Sequence, residues 1–376
     1  MATRSKIEWT TSTWNPTLGC ERVSPGCTNC YAIREAWMHA HHPTAKIAQA
    51  FAGLVERRDD RLDWTGTVRT LPERLGIPLH WRTPRRVFVD SQSDLFHDDV
   101  PDGFIAAVFA IMAAAPQHTY QLLTKRHGRL RSLLGNPKFR ELMAKELRLL
   151  TEGMSLKIPG DVSWAWPLPN VWIGVSVEDQ KSADLRIPAL LATPAAVRWL
   201  SCEPLLGQVD LSEHLTRRRP VTDPYLDAPD GAVVDGMERV GDSWQRRAGI
   251  DWVVAGGESG SAARPMHPDW ARLLRDQCAD AGVPFFFKQW GAWAPFATHF
   301  AADHGERLPW DTYVNLDGST GEYAISEDHD QATNWTGDPK PGNHAVTRVG
   351  KKRAGRLLDG VEHLDMPALS EGGHSE

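Results

Sequence analysis

The chain has 376 residues, 41% of them apolar and 24% charged, with a net charge of −6; this length suits one large domain with insertions, or two domains. No uninterrupted apolar run approaches the roughly 18–20 residues of a membrane span, and the opening MATRSKIEWTTSTW lacks a signal peptide's apolar stretch, so the expectation is a cytoplasmic protein with no membrane partner. Five cysteines in a reducing compartment do not read as disulfides, and an odd count leaves one unpaired in any case. The acidic balance does not advertise the whole chain to nucleic acid, although local basic faces remain open.

In chain order, a first strand is expected near residues 7–14, just before a cysteine-bearing loop. RRVFVD (85–90) ends in SQSD and leads to the apolar stretch FIAAVFAIMAAA. TYQLLTK (119–125) leads to RLRSLL; NVWIGVSVED (170–179) feeds a helix near 181–192; VRWLSCEPL (197–205) follows. IDWVVAGGESG (250–260) precedes HPDWARLLRDQCADAG, where Pro268 near the start and Gly282 at the end punctuate a helix. VPFFFKQWG (283–291) closes a series of about seven strands with helices between most of them, the pattern of repeated βα units on parallel strands. A doubly wound sheet and a full or partial βα barrel both fit this periodicity. Segments 136–169 and 208–249 read as insertions, and the character changes after about 291. There the turn-like NLDGSTGEY and the basic GKKRAGRLLDG suggest a smaller C-terminal extension, 291–376, packed on the barrel or capping its mouth.

Cys20, Cys27 and Cys30 have the spacing C-x6-C-x2-C in a loop containing Gly and Pro. Close C-x2-C pairs suit thiolate chelation of zinc or iron. A structural zinc site normally closes with four protein ligands, for which His39, His41 and His42 are nearby candidates, though HAHH also reads as a solvated helix end. Three thiolates on a 4Fe-4S cluster would instead leave one iron open, which is what a catalytic metal site needs.

A three-cysteine loop after the first strand, followed by Tyr31 and a helix ahead of a βα series, resembles the radical S-adenosylmethionine superfamily. More specifically, TWNPTLGCERVSPGCTNCYA, RWLSCEPLLG, DWVVAGGESG with ARPMHPDW, PFFFKQWG and RVGKKRAGRLLDG together resemble a phage- and prophage-associated three-cysteine-motif family of largely unassigned reaction. The likeness runs through roughly residues 6–363. It implies a βα (TIM-like) barrel over 1–290 and a 4Fe-4S cluster on Cys20, Cys27 and Cys30. It further implies S-adenosyl-L-methionine on the open iron, cleaved reductively to a 5′-deoxyadenosyl radical, and a flavodoxin- or ferredoxin-like electron donor. The sequence departs from the superfamily in its longer first gap, where C-x3-C-x2-C is usual. Its GGE also falls at Gly256, Gly257 and Glu258, after about the sixth strand rather than the second.

On this reading the strand exits face one mouth, as in barrel enzymes. Asp90 and Ser91, with Asp94, are candidates to hold the methionyl amine, against an ordinary helix cap. Ser176 and Glu178 are candidates for the cofactor's ribose, against a capping pair. Gly256 and Gly257 permit close backbone approach to the cofactor or simply a tight turn. The candidate catalytic set is Lys125, Glu203, Glu258 and Lys288: the lysines, with Arg126, for an anionic substrate and the glutamates for proton transfer. Cys202 and Cys278 read as buried thiols, although Cys202 beside Glu203 is placed to give or quench a radical hydrogen. Trp290, Trp293, Trp310 and Trp335 are core material or base-stacking surfaces. Basic clusters at Arg82–Arg86, Arg217–Arg219 and Lys351–Arg353 leave room for a nucleotide or nucleic-acid substrate. Two alternatives stand beside this one: a non-redox binding or regulatory protein stapled by zinc on the cysteines plus a histidine, and a nucleic-acid-binding protein with a structural cluster.

Overall fold

Seven parallel strands carry the fold: β1 (Ser12–Trp14), β2 (Arg86–Val89), β3 (Thr119–Thr124), β4 (Val171–Ser176), β5 (Val197–Cys202), β6 (Trp252–Gly256) and β7 (Phe285–Gln289). The computed structural model describes residue 5 and residues 7–154, 165–215, 233–234, 237–240, 243–246, 249–295, 310–325, 332–336 and 342–368. Strand order in the sheet is the order in the chain, β1 through β7, and the registers of β1–β2, β2–β3, β3–β4, β5–β6 and β6–β7 are all parallel. A doubly wound sheet reverses its order at a switch point. This one has no reversal, so successive crossovers advance in one direction. The fold is mixed α/β and compatible with a partial TIM-like barrel. The strands read as unbroken apolar runs because parallel strands are buried on both faces; all six residues of β4 are buried.

Contacts divide the chain into two compact units, Met1–Ser176 with Arg186–Arg198, and Val177–Leu185 with Trp199–Glu376. In the first, helix α1 (Tyr31–Ala40) follows the cysteine loop, and the hairpin Val55–Arg58/Arg61–Trp64 folds against it. Leu18, Ile33, Ala36, Phe51, Leu54 and Trp64 close a small core there, with Cys20, Cys30 and Trp37 packed on its margin. Helix α2 (Asp102–Ala114) is apolar all round, with Ile105 through Ala113 buried without interruption, as a helix sandwiched in a core must be. Helices α3 (His127–Leu134) and α4 (Lys138–Met154) follow β3, and the amphipathic α4 packs on α2.

In the second unit, helix α6 (Pro268–Ala281), which follows α5 (Gln180–Leu191) in the chain, has the punctuation read from the sequence. Pro268 takes the first turn, and Gly282 takes the left-handed C-terminal position at φ 65°, ψ 28°. Part of segment 208–249 forms short antiparallel strands, Val233–Val234, Met237–Val240 and Ser243–Arg246. Beyond β7 lies a five-stranded antiparallel sheet of β8 (Trp293–Pro295), β9 (Trp310–Val314), β10 (Thr320–Ile325), β11 (Ala332–Thr336) and β12 (His344–Arg348), ordered β8-β12-β9-β10-β11. The turn NLDGSTGEY joins β9 to β10 as an antiparallel pair. The basic stretch GKKRAGRLLDG is helical only over Lys351–Ala354, ending at Gly355 with φ 71°. After it the chain runs antiparallel along β7: the Phe287 N–H donates to the His363 carbonyl (2.8 Å) and the Asp365 N–H to that of Phe285 (3.2 Å). Among the described residues no helix is long and apolar enough to cross a membrane.

Candidate functional site

All five cysteines are free, with Cys20, Cys27 and Cys30 half-buried and Cys202 and Cys278 fully buried. The cysteine loop is held by groups other than its thiols. Gly19 sits at φ 89°, where a Cβ would run into the Thr67 carbonyl, so only glycine fits. Pro25 opens a single 3₁₀ turn, Pro25–Cys27, and Cys30 caps α1, its carbonyl accepting from the Ile33 N–H (3.3 Å). Arg22 braces the loop against the hairpin, donating to Asp63 Oδ1 (2.7 Å) and to the carbonyls of Thr28 (2.7 Å) and Leu62 (3.3 Å).

The exits of β2 and β3 complete this neighbourhood. Asp90, at φ 58°, is buried and accepts the Thr17 N–H at Oδ1 (3.0 Å), while Oδ2 is buried with no hydrogen-bond partner. Burial raises its pKa from 3.8 to about 7. Ser91 donates to Asn15 Oδ1 (3.1 Å), and its carbonyl accepts from the Tyr31 hydroxyl (2.8 Å). Gln92 donates to Glu35 on α1 (3.1 Å), so the strand exit and the helix after the cysteines are tied together. Asp94 accepts from the Thr124 hydroxyl (2.7 Å), the Phe96 N–H (3.0 Å) and the Lys125 N–H (3.1 Å). It acts as a bracket and cap.

Arg126, nearly buried, donates to Glu21 (3.0 Å) beside the cysteine loop. Burial, with the Asp94 charge and the Cys30 thiol, pushes the Cys20 thiol up to about 12, and Arg126 pulls against that. Burial likewise raises Cys30, against the Ala32 N–H and the Lys125 charge. Two cations therefore oppose the desolvation of the thiols. Four sulfurs around one tetrahedral zinc would stand about 3.8 Å apart. Among the described residues, the set of three potential ligands whose atoms all lie within 4.8 Å of one another is His267, Asp269 and His344; the three cysteines do not form such a set. In a cubane each thiolate takes a different iron, so its sulfurs stand farther apart than around a single ion. Of the histidines, His39 stacks on Phe51 (4.7 Å), His41 pairs with the Trp37 carbonyl (2.8 Å) and His42 accepts the Thr44 N–H (3.0 Å).

Ser176 is buried and its carbonyl accepts from Arg186 (2.7 Å). In the second unit Glu178 is also buried, with its backbone N–H donating to Ser182 (2.8 Å) and its carbonyl accepting from the Leu206 N–H (2.8 Å). The exits of β5–β7 pair their charges. Lys288 and Glu203 form an ion pair of 2.9 Å with side chains 19% and 13% exposed. Glu258 is buried and accepts three bonds from Arg264, from its backbone N–H (2.8 Å), Nε (3.0 Å) and Nη2 (2.7 Å). The glycines serve close chain packing: a Cβ on Gly257 would overlap the Trp290 carbonyl, and one on Gly256 would come 2.8 Å from Glu203 Oε1. Trp290 is buried with its N–H on the Leu357 carbonyl (2.8 Å), and Trp293 donates to Ala263 (2.7 Å) under the Arg348 guanidinium. The side chains of Trp310 and Trp335 and the cluster Arg217–Arg219 lie outside the described residues. Sequence reasoning missed Glu21, Arg264 and the trio His267, Asp269 and His344; for the last, the phrase MHPDW was the available signal.

A parallel βα sheet with three free thiols on the loop after its first strand defines the class: a mixed α/β protein of partial-barrel type with a candidate thiol centre. Residues 4–367 match a family model described as a protein of unknown function, DUF5131, and the chain belongs to that family. No curated protein matches, and neither does any solved structure.

Proposed function

We propose that the chain is a radical S-adenosylmethionine enzyme with a 4Fe-4S cluster on Cys20, Cys27 and Cys30, acting on a nucleotide or nucleic acid. The supporting observation is the thiol loop: three free, half-buried cysteines on a backbone already braced by Gly19 and Arg22. A cluster with S-adenosylmethionine supplies reductive cleavage of a sulfonium and a 5′-deoxyadenosyl radical. The chain's own residues supply the setting. Lys125 and Arg126 offset the negative charge of three thiolates, and ligation releases the protons that the raised thiol pKa values retain. Asp90, with Oδ2 buried and open, is the acceptor suited to an ammonium group, while Ser91 fixes the strand exit through Asn15 and Tyr31. Glu203 is the candidate for proton transfer to substrate, and Lys288, 2.9 Å from it, the candidate for an anionic substrate group. Exposed Lys351, Lys352 and Arg353 favour a polyanionic substrate.

Anaerobic purification with metal analysis tests this. About four irons and four sulfides per chain are expected, followed by 5′-deoxyadenosine when the reduced protein meets S-adenosylmethionine. Stoichiometric zinc with no iron taken up on reconstitution would leave the zinc-stapled binding protein. A reducible cluster that yields no 5′-deoxyadenosine across nucleotide and DNA substrates would leave the structural cluster.

A further inference from the structure

His267, Asp269 and His344 form a second constellation, within the second unit and independent of the thiol loop. His267 is wholly buried just before α6; its Nε2–H donates to the Gly342 carbonyl (2.7 Å), which leaves the lone pair on Nδ1, where it accepts the Asp269 N–H (3.1 Å). Two residues on, Asp269 Oδ2 lies 4.0 Å from that Nδ1 and 3.3 Å from Nε2 of His344 on β12. The two imidazoles meet nearly edge-on, 4.9 Å between centroids at 85°. The other carboxylate oxygen, Oδ1, is anchored by Arg272 (2.7 Å).

We infer that His267 Nδ1, Asp269 Oδ2 and His344 Nε2 bind one divalent ion of the zinc class, with the fourth position open to water. Ligands at zinc's bond lengths of about 2.0–2.1 Å stand about 3.3 Å apart in a tetrahedron; of the three separations one is 3.3 Å, one is 4.0 Å, and the group as a whole lies within 4.8 Å. The orientation is that of a metal ligand: a ligating histidine usually gives its second ring N–H to a carbonyl, as His267 does to Gly342, and a ligating carboxylate is itself hydrogen-bonded, as Asp269 is by Arg272. Two features oppose a cation, the positive end of α6 and the Arg272 guanidinium. They discriminate against calcium and magnesium, which bind through charge and oxygen, and leave the ions that bond strongly to imidazole. The ion costs one capping hydrogen bond at His267 and ties β12 to α6.

Zinc titration of the full chain against a chromophoric chelator, compared with His344→Ala and Asp269→Asn, tests the site without touching the thiols. Asparagine keeps the Asp269 backbone N–H and shape, and melting in chelator checks that both variants fold. Wild type should bind one more zinc per chain than either variant, with nitrogen and oxygen ligands at the zinc absorption edge. Losing a supporting partner alone costs 10–100-fold in affinity, so losing a ligand should cost more than about 100-fold. Equal zinc content and affinity in the three proteins, or coordination by sulfur alone, would overturn the inference, whatever the thiol loop binds.

Discussion

At the exits of β1–β3, three thiols and one oxygen of Asp90 carry no ionic partner of their own, whereas at the exits of β5–β7 Glu203 is matched by Lys288 and Glu258 by Arg264. The difference is one of preparation. A buried charge matched within the chain is satisfied in the folded protein alone, and removing one partner leaves the other at a cost. A buried group left unmatched persists only where the surroundings hold it, as Gly19, Arg22 and Asp94 hold the first region. The first region therefore keeps buried groups unmatched within the chain, and the second pairs its charges internally.

The sharpest way to break that contrast is to remove one thiol from each region. Cys27→Ala should lose essentially all bound iron after anaerobic reconstitution, while Cys278→Ala, in the core of α6, keeps the iron and costs about 1 kcal/mol in denaturant unfolding. Equal iron loss in the two variants would dissolve the distinction between the regions.

Next in size is Asp90. Its folded pKa of about 7 lies above the ordinary 3.8, so the folded protein holds the proton that the unfolded chain releases. The contribution is full below about pH 4 and is lost as pH rises through 7, falling by about 1 kcal/mol per pH unit between them. Asp90→Asn should remove that slope from stability measured by urea unfolding across the window; an unchanged slope would mean that the carboxylate is not held neutral.

Gly257→Ala should cost about 2 kcal/mol, since the new methyl meets the Trp290 carbonyl on a chain with no slack. A neutral result in thermal or urea unfolding would show that the β6 exit yields, and that its glycines are free to approach a ligand.

The strands were legible because buried parallel strands are short apolar runs ending in polar residues, and β2 through β7 each fall within such a run. The order of the sheet was not legible, because the same periodicity serves a doubly wound sheet. With the order went the pairing of Glu203 and Lys288, which are 85 positions apart and meet because their strands are both neighbours of β6. The cysteines announced themselves by spacing alone. Glu21 did not, and Arg126 did so only as a candidate for an anionic substrate, since a surface ion pair and one beside a thiol look the same in one dimension. The edge segment after Gly355 escaped notice because LLDGVEHLDM has no alternation; it is held by backbone bonds that any side chains would permit.

That edge segment sets a timetable for the nascent chain. The carbonyls of His363 and Asp365 bond to Phe287 and to the Trp252 indole, the latter 113 positions earlier. Until the ribosome has passed residue 365, β7 offers FFFKQ with one row of amides bare, an adhesive edge for any other extended chain. A chain cut short before residue 363 would leave that edge of β7 open.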